Sequence, residues 1–322
     1  MDELARILGS IVSNATPLVI ASIGETITER VGVVNLSLDG SIALAAMVGF
    51  VTAYLSGNAL LGLLAGTVIG MLIALLIVVA NIELKQDQVA VGFVLTLLAA
   101  DLAQFLGQDY TRIPGPTFPT VPIPVLADVP FLGQIFFRHN LLVYFSFVLL
   151  FGTWFVMYRT RYGLALRAVG ERPATAFARG TNVNRTRYFY TAVGGAMVGL
   201  AGASYALAIK PGWANPPVMR GDGWIALAIV IFGGWHPFRV AFGAYLFAGL
   251  RALASTIQQQ TDLPLVLVNA VPWVLMILTL LLVSGGFVER LIRVAPGPVQ
   301  RVLRNFLRSE PPAALGAEFS RE

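Results

Sequence analysis

The chain has 322 residues, 57% of them hydrophobic and 12% charged, and a mean hydropathy of +0.75, a balance that excludes a soluble globular domain and makes the bilayer its solvent. A net charge of +5 does not indicate a nucleic-acid partner, because the basic residues fall in loops between apolar runs instead of among aromatics on one face. The absence of cysteine excludes disulfides, thiolate catalysis and Cys-based metal sites.

The N-terminus, Met1 to Arg6, is acidic and has neither a basic n-region nor a small-residue cleavage site, so the first span is expected to remain in place. Apolar stretches able to cross about 30 Å of hydrocarbon recur along the chain. The predicted spans are 7–27, 41–55, 60–80, 89–106, 141–158, 188–208, 224–235, 238–257 and 263–283. They predict an all-α polytopic membrane protein of about nine transmembrane helices, eight to ten by this pattern. The membrane domain would occupy 1–284, and 285–322 would be a basic, partly disordered tail.

Seven arginines between 159 and 187 (159, 161, 167, 172, 179, 185 and 187) and six after Ser284 assign both segments to the cytoplasmic side. Three crossings must then lie between Ala208 and Ser284, so the short segment 224–235 has to cross, and the N-terminus lies outside. A re-entrant 41–55 would move the N-terminus inside.

The string Asp39-Gly-Ser-Ile-Ala-Leu-Ala45 recurs as Asp222-Gly-Trp-Ile-Ala-Leu-Ala228. Each copy leads into a glycine-punctuated span. Five crossings separate the copies, which predicts an inverted repeat with halves 7–106 and 188–283 joined by the span 141–158; coincidence in an Ala/Leu-rich chain is the alternative. The segments 41–55 and 224–235, about 15 and 12 residues, fall short of the roughly 20 a span needs, so short broken helices are expected there. Asp39 and Asp222 are read as N-caps that either face a central pathway or sit at a membrane surface.

Glu25 and Glu29 lie one helical turn apart, with Asn35 following. They are either substrate-pathway residues or interfacial partners of Arg30. Asp101 and Arg251 fall in the outer thirds of two predicted spans and could form an intramembrane pair, an architectural lock. Gln104, Phe105 and Trp224 could stack on and hydrogen-bond a nucleobase or sugar, or anchor the chain at the interface. The proline-rich segment 108–140 is expected to be extended and stiff. His139 and His236 have no metal-ligand spacing, and the two lysines, Lys85 and Lys210, cannot complete a phosphate-binding turn. No metal site or catalytic group is predicted.

The loop after the 141–158 span reads Gly163-x-x-x-Arg167-Ala168-x-Gly170-Glu171-x-Pro173-x-x-Ala176-x-x-x-Gly180. Its alanines permit close approach of another protein, Pro173 can start a helix after a Gly170 turn, and Gly180 can stop one. An ordinary topology-setting loop is the competing reading. The pattern resembles the coupling loop of ABC importer permeases, in the form found in the family serving branched-chain amino acids, ribose-type sugars and nucleosides. The stretch Gly24-Glu-Thr-Ile-Thr-Glu-Arg-Val-Gly-Val-Val-Asn-Leu-Ser-Leu-Asp-Gly40 is similar to its nucleoside and simple-sugar branch, departing at Ser37 and Asp39.

The resemblance implies a permease subunit without enzymatic activity, in a bacterial or archaeal cytoplasmic (inner) membrane, with a cytoplasmic C-terminus. It implies a separate cytoplasmic ABC ATPase that binds ATP and Mg and docks on 159–187. A second related permease, as a heterodimer, and an extracytoplasmic substrate-binding protein would complete the assembly; the 108–140 segment either receives that binding protein or is a simple covering loop. The solute would be a nucleoside or simple sugar, with branched-chain amino acids the alternative within the same architecture. An ion-coupled secondary transporter is the rival class.

Overall fold

The computed structural model describes residues 2–215, 217–260, 270, 273–274, 277–278 and 310–319. In chain order the helices are α1 (Asp2–Arg30), α2 (Leu38–Ser56), α3 (Ala59–Ile82), α4 (Gln88–Leu106), α5 (Leu132–Phe136), α6 (Leu141–Arg159), α7 (Arg161–Glu171), α8 (Pro173–Ala178), α9 (Val183–Ser204), α10 (Asp222–Phe232) and α11 (Pro237–Gln260). Among the described residues, six helices are long and apolar enough to cross a membrane: α1, α2, α3, α4, α6 and α9 with its π-turn to Ile209. The predicted span 263–283 and the tail 285–322 lie largely outside the described residues.

Local chemistry sets the helix ends. Asn58, Asp87, Asn140 and Asn182 stand immediately before α3, α4, α6 and α9, and each side chain accepts an otherwise orphaned amide of the first turn. With no hydrophobic drive between helices in lipid, close backbone approach holds the bundle. Gly66 and Gly70 of α3 meet Gly195 and Gly199 of α9, where any side chain would strike backbone. Gly24 of α1 meets Gly194 of α9 in the same way.

Contacts order the two ends of the bundle. Gly9 near the start of α1 lies against the carbonyl of Gln134 in α5, whereas the carbonyl of Arg30 at its other end lies against Gly170 of α7. The segment 108–140 and the pair α7–α8 therefore occupy opposite ends.

The structure departs from the sequence reading at both copies of the repeated string. The 41–55 segment is not a short broken helix: α2 runs for 19 uninterrupted residues from Leu38, about 28 Å at 1.5 Å per residue. The 224–235 segment is short, because α10 has 11 residues, about 16 Å. Nor does either aspartate cap its own helix. The N-cap positions are Ser37 and Gly221, and Asp39 lies in the first turn of α2.

The two helix starts abut instead. Asp39 Oδ1 accepts the amides of Gly221 at 2.7 Å and Gly223 at 3.1 Å, so the aspartate of one helix caps the other. From this junction α2 runs toward the 108–140 end, where Phe50 touches Gly115 and Tyr54 packs on Tyr110. α10 runs the opposite way, to Gly234 and Trp235, which meet Arg30 and Glu29.

Candidate functional site

At the junction the interior polar groups are mutually satisfied. Asp222 is fully buried and accepts from the Tyr205 hydroxyl and from both terminal nitrogens of Arg251, one of them at 3.1 Å. The Gly40 amide donates to Thr96 Oγ1 at 2.9 Å. Trp224 stands beside Phe93, with ring centroids 6.4 Å apart. The first-turn amides of α10 that Asp39 accepts, and that of Gly40, are thus spent within the protein rather than held open for a solute.

The expected Asp101–Arg251 pair is not formed. Asp101 is exposed on α4, while Arg251 reaches from α11 to the buried Asp222, a carboxylate that would otherwise lie uncompensated inside the bundle. Gln104 and Phe105 also stay away from the junction. Phe105 is 70% exposed, and the Gln104 amide bonds its own helix at Ala100. Sequence reasoning missed Tyr205 and Thr96; Tyr205 had a signal, a lone polar-tipped residue in the Ala/Gly-rich end of a span, where the helix loosens into a π-turn.

Glu25 and Glu29 share the buried side of α1. Glu25 Oε1 accepts the Asn35 amide at 3.3 Å, while its Oε2 has no partner among the described residues. Glu29 accepts from the Trp235 indole. Asn35 Oδ1 organises the turn before α2 through the amide and hydroxyl of Ser37. Arg30 turns to the carbonyls of Gly234 (3.3 Å) and Trp235 (3.2 Å) and to Glu171 at 3.6 Å. A continuous path of contacts, Glu29 to Trp235 to Arg30 to Glu171, joins the interior of α1 to α7. Arg187, counted above as a topology-setting loop residue, is 1% exposed and lies under Gly32.

The predicted loop is a helical corner. Thr160 caps α7 through the Gly163 amide at 3.2 Å. Gly170 is not a turn; it lies inside α7, where a side chain would collide with the Arg30 carbonyl. The break falls at Arg172, the residue whose helical conformation Pro173 disfavours, and Pro173 then opens α8. Gly180, at φ +87°, follows its end. Ala176 is buried against the bundle, Ala165 and Ala168 are half-buried, and Ala174 and Ala178 are exposed. Arg167 lies over the Tyr158 ring at 5.0 Å. The outward face is carried by Tyr162 and Leu164, each 61% exposed, and by Phe177.

Residues 7–280 match the family described as branched-chain amino acid transport system / permease component. The chain belongs to that family. Among curated relatives of this permease is the putative glucose ABC transporter permease protein TsgC13 of Haloferax volcanii, 38% identical over 257 residues, with 79% of this chain and 78% of the relative covered. The guanosine ABC transporter permease protein NupQ of Bacillus subtilis is 35% identical over 296 residues, covering 86% and 90%. The nucleoside ABC transporter permease protein NupC of Lactococcus lactis is 33% identical over 299 residues, covering 88% and 94%. No solved structure matches.

The permease carries a polar recess of about 510 Å³ at the 108–140 end. Arg6, Ser10, Ser13 and Asn14 line it from one face of α1, opposite Gln134 and Arg138. Gln134 Oε1 is buried there without a partner among the described residues. A polar stripe on a membrane helix is costly against lipid and belongs against water or protein.

In the turn before α11, His236 is held down to about 4 by burial and by the charges of Arg239 and Arg30. Its ring lies tilted against that of Tyr158, centroids 5.1 Å apart.

Proposed function

We propose that the chain is the membrane-spanning permease subunit of an ABC importer for a nucleoside or simple sugar, energised by a separate cytoplasmic ATPase. The observation that carries this reading is the α7–α8 corner. It presents Tyr162, Leu164 and Phe177 outward, and it is tied through Glu171 and Arg30 to the buried Glu29 and the start of α11. Force applied to the corner has a direct mechanical route into the interior. ATP and Mg are handled by the docked ATPase; this chain supplies position and a path.

On this reading α7 and α8 mark the cytoplasmic end and 108–140 the outer end, which receives a substrate-loaded binding protein. α2 and α10 diverge from one point, in support of an inverted repeat about the Asp39–Gly223 contact, with nine spans once 263–283 is included. Glu25, Asn35, Asp39, Asp222 and Trp224 then lie near the midplane, with Asp39 and Asp222 holding the halves together and Glu25 nearest to an uncompensated interior group. A second related permease completes the membrane unit. The nucleoside or sugar class follows the relatives' solutes, guanosine, nucleosides and glucose.

Reconstitution tests the reading. Vesicles carrying the whole importer should accumulate labelled guanosine or glucose only with internal ATP. Uptake by vesicles holding this chain alone under an ion gradient would show a secondary transporter instead.

A further inference from the structure

Residues 310–319 lie beyond the family match, which ends at residue 280, and read Glu310-Pro-Pro-Ala-Ala-Leu-Gly-Ala-Glu-Phe319. They fold onto the corner where α1 meets α7. The Ala314 amide donates to the Gly170 carbonyl at 2.9 Å, satisfying a backbone group that the end of α7 leaves open. Gly316 donates to the Gly32 carbonyl at 3.1 Å, and Ala313 to Glu171 Oε2 at 3.2 Å. Pro312 and Ala314 are buried, and the Phe319 ring packs on Phe177 of α8 at 5.7 Å.

The seat is shaped for this segment. Gly32 adopts φ +94°, and a side chain there would come within 3.1 Å of the Ala314 carbonyl and 3.3 Å of the Arg187 guanidinium. A large residue at 314 would not fit between Gly32 and Gly170. The segment therefore binds three parts of the chain at once: the link after α1, the end of α7 and the outward ring of α8.

We propose that residues 310–319 form a brace built into the ATPase-docking surface, fixing the α7–α8 corner on the end of α1 and adding Glu318 and Phe319 to the face offered to the ATPase. The inference rests on the coupling role assigned to α7 and α8 above. The segment supports this surface without covering it, since Tyr162 and Leu164 remain 61% exposed and Phe177 43% exposed. A covering latch would bury those side chains. Glu171 is the shared fastening, holding Arg30 on one oxygen and the Ala313 amide on the other.

The test uses the whole importer in vesicles, with guanosine and glucose as probes. A stop codon at Glu310 and the full-length Ala314→Glu variant should each insert normally, and each should lower both the ATPase retained on the purified permease and the solute moved per ATP by about five-fold or more. The full-length variant covers the case in which truncation impairs folding. Normal ATPase retention and coupling in both Ala314→Glu and the truncation overturn the brace, as does a rise in ATPase retention or in solute moved per ATP in either variant, which identifies a latch that must open. Full-length uptake that ignores the ATPase overturns the coupling reading itself, a result distinct from either.

Discussion

The Asp39 carboxylate of α2 accepts the Gly223 amide of α10 at 3.1 Å, so the capping residue of one helix is supplied by the start of another 184 residues away. The positive start of α10 points at this carboxylate, which also takes the Gly221 amide. Asp39→Ala should lower the stability of the purified permease by about 2 kcal/mol, the scale of a lost cap and charge-assisted hydrogen bonds. Asp39→Asn keeps an acceptor and should lose less than half as much. Thermal unfolding in detergent reads the difference, and equal losses from the two variants would contradict the capping role.

The buried Asp222 makes its pair with Arg251 asymmetric. Arg251→Met leaves an uncompensated carboxylate and should cost up to about 3 kcal/mol, the lower end for a broken buried pair because Arg251 is partly exposed. The double variant Asp222→Leu, Arg251→Met should recover at least half of that loss. Asp101→Asn, far from this pair, should stay within about 0.5 kcal/mol of the parent. A large Asp101→Asn loss that disappears in the Arg251→Met background would restore the Asp101–Arg251 pairing considered from sequence.

What the sequence exposed and what it hid follow from range. The apolar runs and their Asn and Asp caps are local, so the six long helices stand close to the predicted spans. The Asp39 and Asp222 strings were legible as equivalents, but their roles depend on contacts across more than 180 residues, invisible to a window of one helix. Arg251 was placed opposite Asp101 by depth alone; depth does not report azimuth, and α11 turns Arg251 toward Asp222. The sequence left Glu25 and Glu29 as either pathway or interfacial residues; Arg30 reaches Glu171 while both carboxylates turn into the bundle, a direction that no local pattern shows. Of the loop alanines read as permitting a partner's approach, Ala176 packs on the bundle while Ala174 and Ala178 stay exposed, since small residues permit close approach in either direction.

The absence of cysteine makes the recess testable by labelling. Ser13→Cys should react with a membrane-impermeant maleimide added outside intact cells, because Ser13 lines an open polar cavity at the 108–140 end. Excess solute together with the binding protein should slow that reaction by about three-fold or more, on the scale of modest site occupancy. Phe105→Cys, exposed on the apolar side of α4, should resist the polar reagent. Labelling of Ser13→Cys only after permeabilisation would invert the assigned topology.

His236 gives the turn before α11 a pH dependence of defined sign. Its folded value of about 4 lies below the ordinary imidazole value of 6.5, so the unfolded chain binds the extra proton between them. The contribution is complete above pH 6.5 and is lost as pH falls toward 4. Lowering the pH from 7 to 5 should therefore reduce the unfolding temperature more for the parent than for His236→Gln. Parallel pH profiles for the two proteins would remove the imidazole from the account.

Arg30 carries the remaining prediction, because it touches both sides of the proposed transmission path. It holds the turn before α11 through the carbonyls of Gly234 and Trp235 and holds α7 through Glu171, while Trp235 holds Glu29. Arg30→Met keeps much of the aliphatic stem and removes these bonds, so the corner can move without drawing the turn with it. ATP hydrolysis by the assembled importer should persist while solute uptake falls about five-fold or more, a coupling loss rather than a binding loss. Arg30→Lys preserves charge but not the fork that spans two carbonyls and a carboxylate, and should recover only part of the transport. A purely structural role predicts something different: hydrolysis and uptake would fall together, with no change in the number of solute molecules moved per ATP.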